Sequence, residues 1–343
     1  MTKEIGSEFY NDITLKRDQV YLLSGRTALE FIIRDIKKNN EIVSALLPSY
    51  CCHTMIEPFF RHNITVRFYD VFFDKNRGLS FDIPDIKKNE LFYYMTYFGF
   101  SQIFGIDLER IRKQSAVIIE DKTHSWLCKE SKCDADYTYT SYRKWARFDA
   151  IALATKEKGV FSDFPLEFNH KYCEMRKQAA DLKQNFIEFS KGDKQRFLDL
   201  FGKAEELLGS DYVGYKPMSE TMAKFLCWDT VSVSERRRKN AQILIDGLKE
   251  VPDLQLVYQS VEDETVPLFV PVLIEKQRNA LIKFLINNAV YCPVHWPKSS
   301  FHNGISKRAD ILYNQELSLI CDQRYKEEEM KHIVELIRMY YMR

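Results

Sequence analysis

Three short stretches carry side chains able to do chemistry together. Ser24-Gly25-Arg26-Thr27-Ala28-Leu29 stands before an apolar repeat at Leu29, Ile32, Ile33 and Ile36. A Ser/Gly/Thr turn entering a helix offers backbone N–H groups and the positive end of the helix dipole, a setting suited to a phosphate. The same residues also read as a plain helix cap. Ala116-Val-Ile-Ile-Glu-Asp121 puts two acids where an apolar strand ends, with His124 three residues on. A carboxylate there can pair with a ligand cation and stay ionised. The plainer reading is a cap at Asp121 and a solvated His124. Ser141-Tyr142-Arg143-Lys144 follows a further strand. A lysine so placed, desolvated or beside other cations, can lose its proton and form a Schiff base; the plainer reading is a surface lysine. Ser-x-x-Lys also occurs in serine β-lactamases, but the companion Ser-Asp-Asn and Lys-Thr-Gly motifs are absent.

The order of the three matters more than any one of them. A phosphate turn, an acid and a lysine, each at a strand or helix end, supply what pyridoxal phosphate needs. Its phosphate takes backbone donors, its ring nitrogen a carboxylate, and its aldehyde an amine.

The elements that must position these groups alternate. The helical repeat at 29–36 is followed by strand candidates at Ile42–Leu47, Thr65–Tyr69, Leu91–Met95, Ala116–Ile119, Tyr137–Thr140 and Ala150–Ala154. Helices are expected at Met55, Phe59 and Phe60 and at Leu108 and Ile111. Such alternation implies βαβ units and a mostly parallel sheet, whose ligands gather beyond the carboxyl ends of the strands. From Leu166 to Lys249 the pattern is largely helical, with Met218–Trp228 and Ser234–Leu248 as consecutive helices. The rest reads as strands at Leu254–Tyr258, Leu268–Ile274, Val290–Pro293 and Leu317–Cys321, with helices at Lys276–Asn288 and Glu327–Tyr341. The expected architecture is α/β, a large domain with a mostly parallel central sheet over 1–230 and a smaller α+β C-terminal domain over 231–343.

The motifs resemble those of the DegT-type sugar aminotransferases, fold type I pyridoxal-phosphate enzymes, over nearly the whole chain. The phosphate turn is similar to Ser24–Leu29, and a strand end leading to the cofactor face to Leu47-Pro-Ser-Tyr50. Tyr93-Tyr-Met-Thr-Tyr-Phe-Gly99 resembles a strand ending in an aromatic-Gly turn, and Ile118-Ile-Glu-Asp121 the family's acid strand end. Ser141-Tyr-Arg-Lys144-Trp, Cys292-Pro-Val-His295-Trp-Pro297 and Leu317-Ser-Leu-Ile-Cys-Asp-Gln-Arg324-Tyr resemble one branch of the family. The resemblance implies that Lys144 is the Schiff-base residue and Asp121 the partner of the pyridine nitrogen. It also implies that Arg26, Thr27 and Ser141 serve the phosphate, with His124 near the phenolic oxygen. His295 is implied at the sugar or the cofactor, and equally reads as a structural histidine. The implied reaction moves an amino group from an amino acid, glutamate in the family, to a keto-sugar linked to a nucleotide, in surface-polysaccharide or amino-sugar biosynthesis. Related dehydratases replace the lysine by histidine, so Lys144 favours transamination. Sites in this family lie between subunits, which implies a homodimer.

Several positions depart from the family pattern. Ala150-Ile151 stand where it has Gly-Gly, and Cys52 or His53 where an aromatic stacks on the ring. Near Tyr215–Ser219 the family's Asn or Arg is missing, and Lys216 stands in as a cation. Other pyridoxal-phosphate chemistry on a sugar, and a non-catalytic relative used for binding, remain the alternatives.

Composition narrows the rest. The 343 residues are 45% hydrophobic and 29% charged, enough for a large core. Lys and Arg number 50 against 49 Asp and Glu, a net +1, so no strong field draws nucleic acid or anionic membrane. Glu235-Arg-Arg-Arg-Lys-Asn240 reads as a solvated helix face. No apolar run approaches the length of a membrane span, and Met1–Glu8 has no apolar signal core, which points to the cytoplasm. Eight cysteines, including Cys133, are then expected as free, ordinary buried thiols. Cys51-Cys52-His53 lacks a second half-site with metal spacing, so no metal is expected.

Overall fold

The computed structural model describes residues 17–100, 105–114, 117–129, 134–165, 167–210 and 214–342. Met1–Glu8, Ala116 at the start of one expected strand, Leu166 and Cys133 lie outside them. The described elements begin with β1 (Gln19–Leu22), α1 (Gly25–Asn39), β2 (Ser44–Pro48), α2 (His53–Arg61), β3 (Thr65–Asp74), β4 (Gly78–Asp82) and β5 (Glu90–Met95). They continue with α3 (Leu108–Gln114), β6 (Ile118–Asp121), β7 (Tyr137–Ser141) and β8 (Ala152–Lys156). Four helices follow, α4 (His170–Phe189), α5 (Lys194–Ser210), α6 (Ser219–Leu226) and α7 (Thr230–Leu248). The C-terminal part holds β9 (Leu254–Leu256), β10 (Val270–Ile274), α8 (Arg278–Asn287), α9 (Lys307–Gln315), β11 (Glu316–Leu319) and α10 (Glu327–Tyr341).

Strands β1 to β8 form one sheet in the order β1-β8-β7-β6-β5-β2-β3-β4. The five central strands, β7, β6, β5, β2 and β3, run parallel. Their register pairs Tyr94 with Glu120, Met95 with Asp121, and Asp121 with Tyr139. Every residue of β2, β5, β6 and β7 is buried, as expected of parallel strands shielded on both faces. The expected mostly parallel sheet is therefore present. A second sheet, β11-β10-β9, is antiparallel and lies in the C-terminal part.

Some elements differ from expectation. Antiparallel β8 and β4 flank the parallel core, β1 pairs antiparallel with β8 at the outer edge, and α9 forms between α8 and β11. A tight turn makes β4 possible: the N–H groups of Asn76 and Arg77 both bond Asp74 Oδ1 before Gly78 turns the chain back. Val290–Pro293 forms no strand. Val290 N–H closes the end of α8 on Leu285 O, and Pro293 and Pro297 have no N–H to give a ladder. Ser318 N–H bonds Pro293 O, tying this segment to β11.

The basic run on α7 also differs. Arg237 is 2% exposed and Asn240 is fully buried, so the helix turns these two inward rather than presenting a wholly solvated face. Asn240 Nδ2 bonds the carbonyls of Asp322 and Tyr325, fixing the loop after β11. Nor are all cysteines ordinary buried thiols: Cys227 is exposed, and Cys52 lies in the site described below. The described cysteines are unbridged. Among the described residues no helix is long and apolar enough to cross a membrane.

One glycine fixes how the two sheets meet. After β5, Gly99 has φ +81°, and a Cβ there would lie 2.1 Å from Val266 O. Leu268 N–H bonds the carbonyl of Phe98 at 2.7 Å, joining this turn to the segment that enters β10. Gly99→Ala combines a left-handed backbone with a backbone clash, and is expected to cost more than about 1–3 kcal/mol. Urea denaturation of the purified variant checks this; a loss below about 0.5 kcal/mol, within the range of neutral surface changes, contradicts it.

Candidate active site

The carboxyl ends of β2, β5, β6 and β7 bring the three motifs together. Asp121, the last residue of β6, is 1% exposed. Its Oδ1 accepts the Thr123 N–H at 2.7 Å; its Oδ2 accepts the hydroxyls of Tyr93 at 2.9 Å and Tyr139 at 2.8 Å. Burial raises its pKa, while the bonds from Thr123, Tyr139 and Tyr93 oppose that rise. A carboxylate offers about four acceptor sites. The Thr123 side chain also bonds this carboxylate, so donors on several sides favour its ionised form.

Lys144 ends a one-turn 3-10 segment, Tyr142–Lys144, that directly follows β7. The next residue, Trp145, pins this turn. Its indole N–H bonds Thr123 O at 2.8 Å, and its carbonyl accepts Gln323 Nε2 at 2.7 Å and Arg237 Nη2 at 3.3 Å. The Arg237 guanidinium also lies 4.9 Å from the indole centroid. Lys144 makes no hydrogen bond or ion pair among the described residues, and its side chain is exposed to the cleft. Protein atoms nonetheless surround it. Burial first, and the Arg143 charge second, lower its pKa, against the opposing pull of Cys52 and Glu205. Water in the open cleft moderates that depression.

The helix start and the lysine turn meet as a cradle. A Cβ on Gly25 would press on Ser141 Cβ and Tyr139 Cε2, each at 3.3 Å. Ser141 Oγ is buried and has no partner, an orphan hydroxyl facing this junction from the lysine side. Ser24 and Thr27 are spent on each other. Thr27 N–H bonds Ser24 Oγ at 3.2 Å, and Thr27 Oγ1 donates to Ser24 O at 2.9 Å. Thr27 thus completes a capping box in which Ser24 is the cap residue. Beside the cradle, Glu205 of α5 gathers three cations: Arg143 Nη1 at 2.5 Å, Arg176 Nη1 at 3.4 Å and Arg26 Nη2 at 3.8 Å. Burial raises the Glu205 pKa, but these guanidinium groups pull it down to about 2. Guanidinium groups gathered at this point favour an anion. The orphan hydroxyl, the glycine-sized gap and the nearby guanidinium groups fit a phosphate ester.

Two histidines line the cleft. His124 is 2% exposed, and its Nδ1 accepts the Phe98 N–H at 3.3 Å, so the neutral ring carries its proton on Nε2. Its indole neighbour Trp296 stacks at 5.5 Å. His295 meets His124 edge-on at 5.6 Å between ring centroids. Burial first, and then nearby cationic groups including Lys144, push both histidines down, His295 to about 3. Both stay neutral at physiological pH.

Cys52 caps α2 without a side-chain cap bond. Its Sγ accepts Thr54 Oγ1 at 3.1 Å and lies 4.0 Å from His53 Nδ1. Burial raises the thiol, but the bonds to His53 and Thr54 outweigh it and bring the pKa down to about 7. The Cys52 charge is felt at Lys144, which places the sulfur at the cleft. Of the residues singled out in the sequence, Gly25, Arg26, Cys52, Asp121, His124, Ser141, Lys144 and His295 converge. Lys216 does not: its amine lies 4.3 Å over the Phe168 ring. Ala150 and Ile151 are buried in two separate apolar clusters of this chain. Sequence reasoning missed Tyr93 and Tyr139 as partners of Asp121, and Arg176 and Glu205 beside the cradle. The alternation Tyr137, Tyr139, Ser141 was a usable signal, because period-two spacing places those side chains on one face of β7. Arg176 and Glu205 had none, since they meet only through the packing of α4 on α5. A cavity of about 620 Å³ lined by Phe72, Lys75, Lys249 and Arg308 lies apart from all these residues.

Residues 193–338 match the model of the DegT/DnrJ/EryC1/StrS aminotransferase family. No curated protein matches the sequence. Among solved structures, the chain is similar to DesV of S. venezuelae, with a TM-score of 0.64 and 14% identity over 95% of this chain and 85% of that one. It is similar to PseC of Helicobacter pylori, an aminotransferase involved in pseudoaminic acid biosynthesis, at 0.64 and 11% over 94% and 86%. It is also similar to the PLP-form of the putative sugar aminotransferase Spr1654 of Streptococcus pneumoniae, at 0.60 and 16% over 94% and 87%. At these identities the likeness establishes the fold.

A thiol with a lowered pKa is increasingly ionised from below neutrality, and the thiolate is the reactive form. Alkylation of Cys52 in the cofactor-free chain, followed by mass spectrometry, is expected to rise with a midpoint near pH 7. A midpoint near pH 9 contradicts the influence assigned to His53 and Thr54.

Proposed function

Because residues 193–338 match the model of the DegT/DnrJ/EryC1/StrS aminotransferase family, we propose that the cleft at Lys144 and Asp121 transfers an amino group with pyridoxal phosphate. The observation that carries this is a single one. A buried carboxylate, an unpaired amine and an orphan hydroxyl beside a glycine-sized gap stand at the ends of neighbouring parallel strands.

When bound, pyridoxal phosphate supplies an electron sink for the carbon that loses its proton. The chain's residues do the rest. Ser141 Oγ, the start of α1 at Gly25, and Arg26 bind the phosphate, with Arg143 and Arg176 adding charge. Asp121 would pair with a protonated ring nitrogen, and Tyr93 and Tyr139 hold Asp121. A charge-assisted bond of this kind is worth about 1.5–3 kcal/mol. Lys144, once freed, is the base that moves the proton, and its lowered pKa keeps more of the amine unprotonated near neutrality. His124 offers Nε2–H to a ligand oxygen. The buried ring of Trp296, stacked on His124, helps keep water out of this end of the cleft.

The donor is proposed to be an amino acid, glutamate by resemblance, and the acceptor a keto-sugar, nucleotide-linked, in amino-sugar or surface-polysaccharide biosynthesis. A cytoplasmic homodimer is proposed as the working form, in which Lys216 is available to the partner's cleft. A division into 1–230 and 231–343 is proposed with it.

Lys144→Ala is expected to lose the visible absorbance that the wild type gains with pyridoxal phosphate, and to lose turnover by at least about 10²-fold. A retained band removes Lys144 from the site. Asp121→Asn is expected to keep cofactor binding while amino transfer from glutamate to a keto-sugar nucleotide falls about 10- to 100-fold. Unchanged turnover removes Asp121 from the mechanism. A wild type that holds the cofactor but transfers no amino group from any donor is a binding relative instead.

A further inference from the structure

Glu316 and Ser318 have no role above, and they reach the cleft through His295. Glu316 is 1% exposed and Ser318 is fully buried; two residues apart on β11, they share one face of the strand. Ser318 Oγ and Glu316 Oε1 are hydrogen-bonded to each other. Ser318 Oγ also lies 2.8 Å from His295 Nδ1. The His295 backbone N–H bonds Glu316 Oε2 at 2.7 Å, and Tyr50 Oη donates to the His295 carbonyl, so the ring cannot drift from this chain of bonds. With Nδ1 turned to β11, Nε2 is the nitrogen left for the cleft, where His124 and Lys144 stand.

A serine hydroxyl has one proton, so the three groups cannot bond independently. When Glu316 is ionised, Ser318 must donate to it and can only accept from His295, which puts the imidazole proton on Nδ1 and leaves Nε2 bare. When Glu316 is protonated it can donate to Ser318, Ser318 then donates to Nδ1, and the imidazole proton sits on Nε2.

We propose that Glu316, Ser318 and His295 form a proton relay in which the state of the Glu316 carboxyl decides whether His295 offers the cleft an acceptor or a donor at Nε2. The relay also gives a proton a destination. An amino donor arrives as an ammonium ion and must shed a proton before its nitrogen can act as a nucleophile. Nε2 takes that proton, Nδ1 passes its own to Ser318 Oγ, and the serine passes its own to Glu316 Oε1. The amine ends neutral, His295 stays neutral, and Glu316 ends protonated. His295 touches the ligand, whereas Ser318 and Glu316 act through it as positioning residues. This use of the relay rests on the aminotransferase reading; the coupling of tautomer to carboxyl does not.

The groups facing the relay set its working range. Burial pushes Glu316 up to about 8, against the bonds from Ser318 and His295 N–H and the nearby charge of Arg278, whose Nη1 bonds the Glu316 carbonyl at 3.1 Å. Tyr50 and Cys292 also face it, and both are pushed up by burial, so they remain neutral there. Around His295 stand Lys144, His124, Phe98, Phe269 and Trp296.

The test reads the tautomer in the full-length, cofactor-free chain. Side-chain ¹⁵N NMR with labelled histidine, assigned by comparison with His295→Asn, is followed from about pH 6 to about pH 10. The expected result is a switch of the His295 proton from Nε2 to Nδ1 as pH rises through about 8. Ser318→Ala and Glu316→Gln lose this switch, and Ser318→Thr, which restores a hydroxyl, keeps it. A wild-type ring holding one tautomer over the whole range overturns the proposal, as does an unchanged switch in Ser318→Ala or, if that variant does not fold, in Glu316→Gln. With amino donor and cofactor present, the pH profile of kcat in the wild type is expected to show a limb near pH 8 that Glu316→Gln lacks. Failure of pyridoxal phosphate to bind Lys144 would count against the aminotransferase reading and leave the tautomer measurement standing.

Discussion

The grip on Trp145 is the contact from which the site is built. Its indole N–H ties the lysine turn to Thr123, two residues beyond the acid, and its carbonyl takes Arg237 from α7 and Gln323 from the loop after β11. One buried residue thus fixes the amine of Lys144 to the strand that carries Asp121 and to the C-terminal part of the chain. Arg237 is the costly member of this set. A buried guanidinium must have its donors satisfied, and it has them from Gln323 and the carbonyls of Pro267, Leu268 and Trp145. The same geometry brings His295 to the cleft, because the segment 265–269 that receives Arg237 also packs on the turn around Gly99.

Opposite charge states are kept apart by different means. The amine of Lys144 is lowered by burial and by Arg143. Asp121 is fully buried, yet two phenols and a backbone N–H support its charged form. Beside the phosphate cradle, Glu205 holds the guanidinium groups of Arg26, Arg143 and Arg176 in place. Such pre-placed charges act without reorganising when a ligand arrives.

Much of the fold was legible in the sequence because the parallel strands are buried on both faces and therefore read as apolar runs. That signal located β2, β5, β6 and β7. It failed at β1, whose burial alternates, at β4, a short strand made by the turn at Gly78, and at Val290–Pro293, where Val290 N–H closes α8 and Pro293 has no N–H. The site divides the same way. Lys144, Asp121 and Ser141 stand at strand ends, so position along the chain revealed them. The tyrosines that hold Asp121, the Arg176–Glu205 pair and the inward turn of Arg237 depend on contacts between distant segments. A basic run on α7 gives no hint of which residue faces the core until α10 and β10 are packed against it. Thr27 illustrates a different limit: one motif supports both a capping box and a phosphate contact, and only the folded chain shows the bonds with Ser24 that make the box.

The central claim is that one amine, placed by Trp145 at the end of β7, carries the cofactor. Borohydride reduction of the purified chain with pyridoxal phosphate, followed by peptide mapping, tests it most directly. The account predicts a reduced adduct confined to the peptide containing Lys144. An adduct on a different lysine, such as Lys122, or none at all, would contradict it.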